Sequence, residues 1–123
     1  MQDPPHSLEL LDLVAEFLRN VAVPQLAGQS AFHARVAANA VDLIKRELQQ
    51  SARSSDAEYV RLQSLLGPGA LEDLNAQLSK AIASGEMTLS TPGLAEHLWA
   101  TTLAKMSIDQ PTYAAYQREQ SQR

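Results

Sequence analysis

Residues 32–47 read FHARVAANAVDLIKRE, and their spacing decides the fold. At about 100° per residue, Phe32, Val36, Ala40, Leu43, Ile44 and Leu48 fall on one apolar face, which is the pattern of an amphipathic helix. His33 falls inside that face. Arg35, Asn39, Asp42 and Arg46 form a ridge along its edge, at i, i+4 and i+7 spacings. Polar residues so close to a core edge serve either as a structural network or as a recognition surface. The stretch spells out no reaction.

The same periodicity extends outward in both directions. Leu10, Leu11, Val14, Phe17, Leu18 and Val21 recur at helical spacing behind a Pro4-Pro5-His6 lead-in, with Ser7 as N-cap and Glu9 in the first turn. Pro24 and Gly28 end or kink this helix. Helices are predicted over 7–23, 30–50, 55–66, 70–84 and 92–107. Residues 51–54 read as a polar loop, Ser55 and Glu58 as a capping box, and Thr91-Pro92 as a cap with proline at the first helical position. Gly67-Pro68-Gly69 and Gly85 act as stops. No stretch alternates with period two for long enough to make a strand.

The expected fold is therefore all-α, a single compact bundle of about five helices with short loops. Residues 1–6 are a lead-in and 7–110 the bundle. Residues 111–123 are a polar tail, either a frayed sixth helix or without fixed structure. Phe17, Phe32, Val36, Leu43, Leu74, Leu78 and Leu98 are the expected core.

Composition narrows the function classes. A chain of 123 residues suits one domain. Ten basic and 14 acidic residues, with no long basic run, make a poor general binder of nucleic acid or anionic membrane. With no cysteine, thiolate chemistry and iron–sulfur ligation are excluded, which suits a cytoplasmic setting. No apolar run approaches the ~20 residues of a membrane helix, and the acidic N-terminal MQDPPHSLELL does not read as a secretory signal.

Catalytic motifs are missing from the sequence. His6, His33 and His97 form no H-E-x-x-H or H-x-x-x-H pair. Gly67-Pro68-Gly69 lacks the Lys-Ser/Thr of a phosphate loop, and no G-x-S-x-G elbow occurs. Glu72-Asp73 and Asp56-Glu58 read as charge favoured at helix N-termini rather than as metal ligands. No cofactor and no metal is expected.

Two ridges remain as candidate sites. His33 reads as a histidine bonded to a backbone carbonyl, with a ligand or interface role as the alternatives. Asn39 is expected to bond a loop backbone, and Arg35 with Asp42, or Asp42 with Arg46, to form weak ion pairs. His97, Thr101 and Lys105 stack at i, i+4 and i+8 beside the stripe of Leu94, Leu98, Thr102 and Met106. They form either a solvated edge or, joined to the first ridge, one polar patch in a helix–helix groove. Trp99, the single tryptophan, is a core residue or an interface anchor.

Several blocks together resemble one bacterial family: LELLDLVAEFL, then Pro24-x-Leu26-x-Gly28, FHARVAANAV, Arg46-Glu47-Leu48, LNAQLSKAI, Gly85, HLWATTLAK and IDQPTY. FHARVAAN and IDQPTY are the most specific of these. The family consists of small helical proteins encoded beside, or fused to, aminoglycoside-kinase-like phosphotransferases and acyl-CoA dehydrogenases. Its best understood type is the small accessory subunit of a 4-hydroxyacyl-CoA kinase in levulinate and 4-hydroxy-acid breakdown. The resemblance implies a non-catalytic subunit that docks on such a kinase, with an acyl-CoA contact in the complex. It transfers no catalytic residue. A stand-alone binder of an acyl chain or pantetheine, and a small enzyme using His33 or His97, are the alternatives. Neither nucleic acid nor membrane is an expected partner, and a homo-oligomer stays open.

Overall fold

The computed structural model describes residues 3–123, and every described element is helical. The order is α1 (Ser7–Phe17), a π turn (Leu18–Ala22), α2 (Val23–Gln25), α3 (Gly28–Leu66), α4 (Leu71–Ala83), α5 (Leu94–Asp109) and α6 (Ala114–Ser121). α1, the π turn and α2 run on without a break, so the all-α expectation holds with five helical stretches. Contacts divide the chain into two compact units, one ending at Gln50 and the other Ser51–Arg123. Each is described by itself.

The π turn has a local cause. Pro24 has no N–H to donate to residue 20, and its ring would press on that carbonyl. A widened turn just before it absorbs the conflict. The chain then leaves the helix at Leu26, which is extended, and re-enters one at Gly28 with φ +59°.

In the first unit, α1 and the N-terminal part of α3 are antiparallel, because Asp12 meets Lys45 while Arg19 meets Asn39 and Asp42. The most buried side chains of this unit are small. Ala15, Ala31, Ala34 and Ala38 are buried, Ala38 completely. Ala31, Ala34 and Ala38 recur at i, i+3 and i+7, so they share one stripe of α3.

This stripe overturns part of the expected core. Phe17, Phe32 and Val36 are exposed, Phe32 by 59%. A helix with one neighbour can bury only one stripe, and here the alanine stripe takes that place. Leu43 is half-buried.

The second unit has a larger-residue core. Leu62 from α3, Leu74 and Leu78 from α4 and Leu94 from α5 pack together, with Tyr59, Leu66, Leu71 and Met87 against them. Leu74 and Leu78 are core as expected. Leu98 is not, being more than a third exposed. The inward stripe of α5 is Leu94, His97 and Thr101, one residue out of phase with the expected Leu94, Leu98 and Thr102. α5 is apolar on most sides, so periodicity alone does not fix its buried face.

Two predicted boundaries also shift. No loop forms at 51–54, since SARS contains neither glycine nor proline and serine costs only a few tenths of a kcal/mol in a helix. With no helix start at residue 55, Glu58 is not a capping residue and accepts from Asn75 Nδ2 at 3.1 Å. α5 starts at Leu94 with Gly93 as N-cap, while Thr91 Oγ1 accepts from the backbone N–H of Thr88 at 3.0 Å in the preceding turn. Gly85 does follow α4 at positive φ, as its C′ role requires. The tail forms α6, which lies on α5: Trp99 Nε1 donates to Glu119 Oε1 at 3.4 Å.

Candidate functional site

In the first unit the polar ridge is organised by a residue that sequence reasoning missed. Arg19 Nη2 donates to Asn39 Oδ1 at 2.9 Å and meets Asp42 Oδ2 at 2.6 Å. Two members of the ridge are thereby tied to the opposite helix. Asn39 does not bond a loop backbone, and Asp42 pairs with Arg19 instead of Arg35. Both ends of the Arg19–Asp42 pair are more than a third exposed, which keeps its worth below about 1 kcal/mol.

Arg35 is exposed and has no hydrogen-bond or ion-pair partner among the described residues. It faces a cleft of about 290 Å³ lined with Arg19, Val23 and Asn39. Arg46 is half-buried. His33 is exposed instead of lying within a core, and its ring meets Phe32 edge-on at 5.7 Å between centroids.

In the second unit the site centres on His97, which is only 2% exposed. Arg61 Nε donates to His97 Nδ1 at 3.3 Å, and Arg61 Nη2 donates to Thr101 Oγ1 at 3.3 Å. An accepting Nδ1 places the histidine's proton on Nε2, the neutral tautomer. Burial, and then the nearby Arg61 charge, hold its pKa below the ordinary value, with Glu58 opposing them. The expected edge of His97, Thr101 and Lys105 thus splits. His97 and Thr101 join Arg61 inside, while Lys105 is exposed and unpartnered among the described residues.

A third feature is a groove of about 220 Å³ between α5 and α6, lined by Trp99, Leu103, Met106, Tyr113 and Tyr116 among others. Trp99 is 49% exposed there rather than core. Among the described residues, no three His, Asp or Glu side chains gather as metal ligands would. No described helix is long and apolar enough to cross a membrane.

Residues 24–113 match the family described as a domain of unknown function, DUF6285. The chain belongs to the DUF6285 family. No curated protein and no solved structure matches it. The DUF6285 match spans the Arg35–Asp42 ridge and the Arg61–His97 pair, whereas Arg19 lies just before it.

Arg19 and Arg61 could be found only through their partners. A histidine on the inner stripe of an otherwise apolar helix needs a donor or acceptor from elsewhere. Arg61, beside Tyr59 and Leu62, is the cation that an apolar stripe carries inward. Arg19 gives no comparable signal.

Proposed function

We propose that this DUF6285 chain is a non-catalytic accessory subunit that docks on a phosphotransferase-type 4-hydroxyacyl-CoA kinase and supports its activity. One observation carries the docking part. In the first unit Leu10, Leu13, Val14, Phe17 and Val21, together with Phe32, Val36, Ile44 and Leu48 of α3, are all more than a third exposed. Nine large apolar side chains left this exposed in one unit are more than the single scattered residues of an ordinary surface, and exposed apolar surface favours a protein contact. The kinase as partner rests on the sequence resemblance. Phosphoryl transfer needs a phosphate cradle and metal-holding carboxylates, functions this reading assigns to the large subunit.

The test is co-purification of the tagged chain with a phosphotransferase-type 4-hydroxyacyl-CoA kinase, followed by assay of each alone and of the pair. Kinase activity that rises on adding this chain, with no ATP turnover by the chain alone, supports the reading. ATP turnover by the pure chain, lost in His97→Ala, would replace it with the enzyme alternative.

The Trp99 groove favours a second reading, a binder of acyl chains. Its walls are almost wholly apolar, and its volume suits a short chain. Titration with short-chain acyl-CoA should then shift the emission of Trp99, the single tryptophan. An unchanged spectrum removes this reading.

A further inference from the structure

The cleft between Arg19 and Arg35 has the chemistry of an anion site, and this goes beyond the docking reading. Its polar lining is made of Arg19, Arg35 and Asn39, with Val23 completing the wall. Asn39 Oδ1 is occupied by Arg19 Nη2. That bond fixes the amide orientation and leaves Nδ2, a donor, without a partner among the described residues. Arg35 keeps its whole guanidinium fork available. The Asp42 carboxylate is engaged by Arg19 at 2.6 Å. Arg19 is thus satisfied within the protein, and the donors left at the cleft are Arg35 and Asn39 Nδ2.

We propose that this cleft binds a small phosphate-bearing anion, with Arg35 as its principal ligand and Asn39 as a supporting donor. Arginine suits the role because its planar fork offers two parallel N–H bonds to two oxygens of one phosphate. The Arg19 tie to Asn39 and Asp42 orders one side of the cleft before the anion arrives, which lowers the ordering cost of binding. A volume of about 290 Å³ leaves room for more than a bare phosphate group, at the lower end of small-molecule pockets. A carboxylate accepts from the same donors, so the test separates the two.

The experiment is a two-dimensional NMR titration of the full chain with inorganic phosphate, pyrophosphate and acetate at constant ionic strength. It follows the Arg35 Nε–H and Asn39 Nδ2 signals. Saturable shifts with pyrophosphate, at a Kd of about 1 mM or tighter, are expected, with acetate at least tenfold weaker. Arg35→Ala should weaken pyrophosphate binding tenfold or more while the thermal midpoint stays unchanged, because Arg35 supports no other contact. Arg35→Lys should recover only part of the affinity, having the charge but lacking the fork. Shifts that do not saturate, equal shifts with acetate, or full affinity in Arg35→Ala would each overturn the proposal. Arg35→Ala that still binds the kinase separates this site from the docking face, so either reading can fail alone.

Discussion

Arg61 reaches across 36 positions of sequence to donate from Nε to Nδ1 of His97 at 3.3 Å, while a second nitrogen of the same guanidinium holds Thr101 Oγ1. A cation beside a histidine disfavours protonation of that histidine. The contact is therefore stable only while His97 is neutral, which makes the second unit sensitive to acid.

The sign follows from linkage. The folded-state pKa of His97 lies below its ordinary value of 6.5, so the unfolded chain binds the proton more readily. The stability this gives is fully present above about pH 6.5 and is lost as pH falls through the lowered folded value. The thermal midpoint should drop between pH 7 and pH 5. In His97→Gln, which does not titrate, the drop should be smaller. Parallel curves for the two proteins would place the acid sensitivity elsewhere.

Removing the donor should cost more than removing a surface charge. Arg61→Ala leaves the buried Nδ1 of His97 without its partner, a loss of about 1–3 kcal/mol. Arg19→Ala breaks a pair exposed on both sides and should cost less than about 1 kcal/mol. Urea unfolding of both variants provides the comparison. A larger loss for Arg19→Ala would reverse the ranking of the two networks.

The contrast between these networks also shows what the sequence made legible. Helix type was readable because a 3.6-residue period persists over long stretches and nothing competes with it. The burial of Leu74 and Leu78 was readable because α4 has a single apolar stripe. The buried face of α3 was not. Phe32, Val36 and Ile44 make a convincing apolar arc, yet the buried side chains are Ala31, Ala34 and Ala38, whose small size lets a neighbouring backbone approach closely. Periodicity registers side-chain size and hydropathy but not closeness of approach. Of the candidate site, His97 and Thr101 were visible as neighbours on one helix. Their partner Arg61 was not, because no local spacing links residues so far apart.

Backbone conformation gives a further expectation at Gly93, the N-cap of α5, where φ is +86°. A Cβ there would also stand 3.3 Å from Leu65 Cδ2. Gly93→Ala should cost about 1–2 kcal/mol from left-handed strain, plus whatever shift Leu65 makes. At Gly28 the added Cβ meets nothing within 4 Å, so Gly28→Ala should carry the strain alone at φ +59°. Thermal denaturation of the two variants should rank Gly93→Ala as the more damaging. Equal losses would mean that Leu65 yields freely, and the opposite order would overturn the ranking.

The exposed face of the first unit yields the most direct test of docking. Val14 and Phe17 are about half exposed, unlike the buried alanines of α1 and α3. Placing a carboxylate at either position leaves those alanines untouched, so Val14→Asp and Phe17→Asp should fold with midpoints close to that of the parent, since surface substitutions usually stay within about 0.5 kcal/mol. In a complex the same carboxylate would be buried without a partner, and a buried polar group left unpaired costs about 1–3 kcal/mol, more when it is charged. That predicts a loss of roughly tenfold to more than a hundredfold in affinity for the kinase. Ala15→Leu supplies the opposite control. It overpacks a buried position and should lower stability by about 1–3 kcal/mol. Pull-down and calorimetry on the three variants separate the roles. Normal folding with lost binding in both aspartate variants identifies this face as the interface. Undiminished binding in both means that the partner sits on another surface, and the apolar face then needs a different occupant.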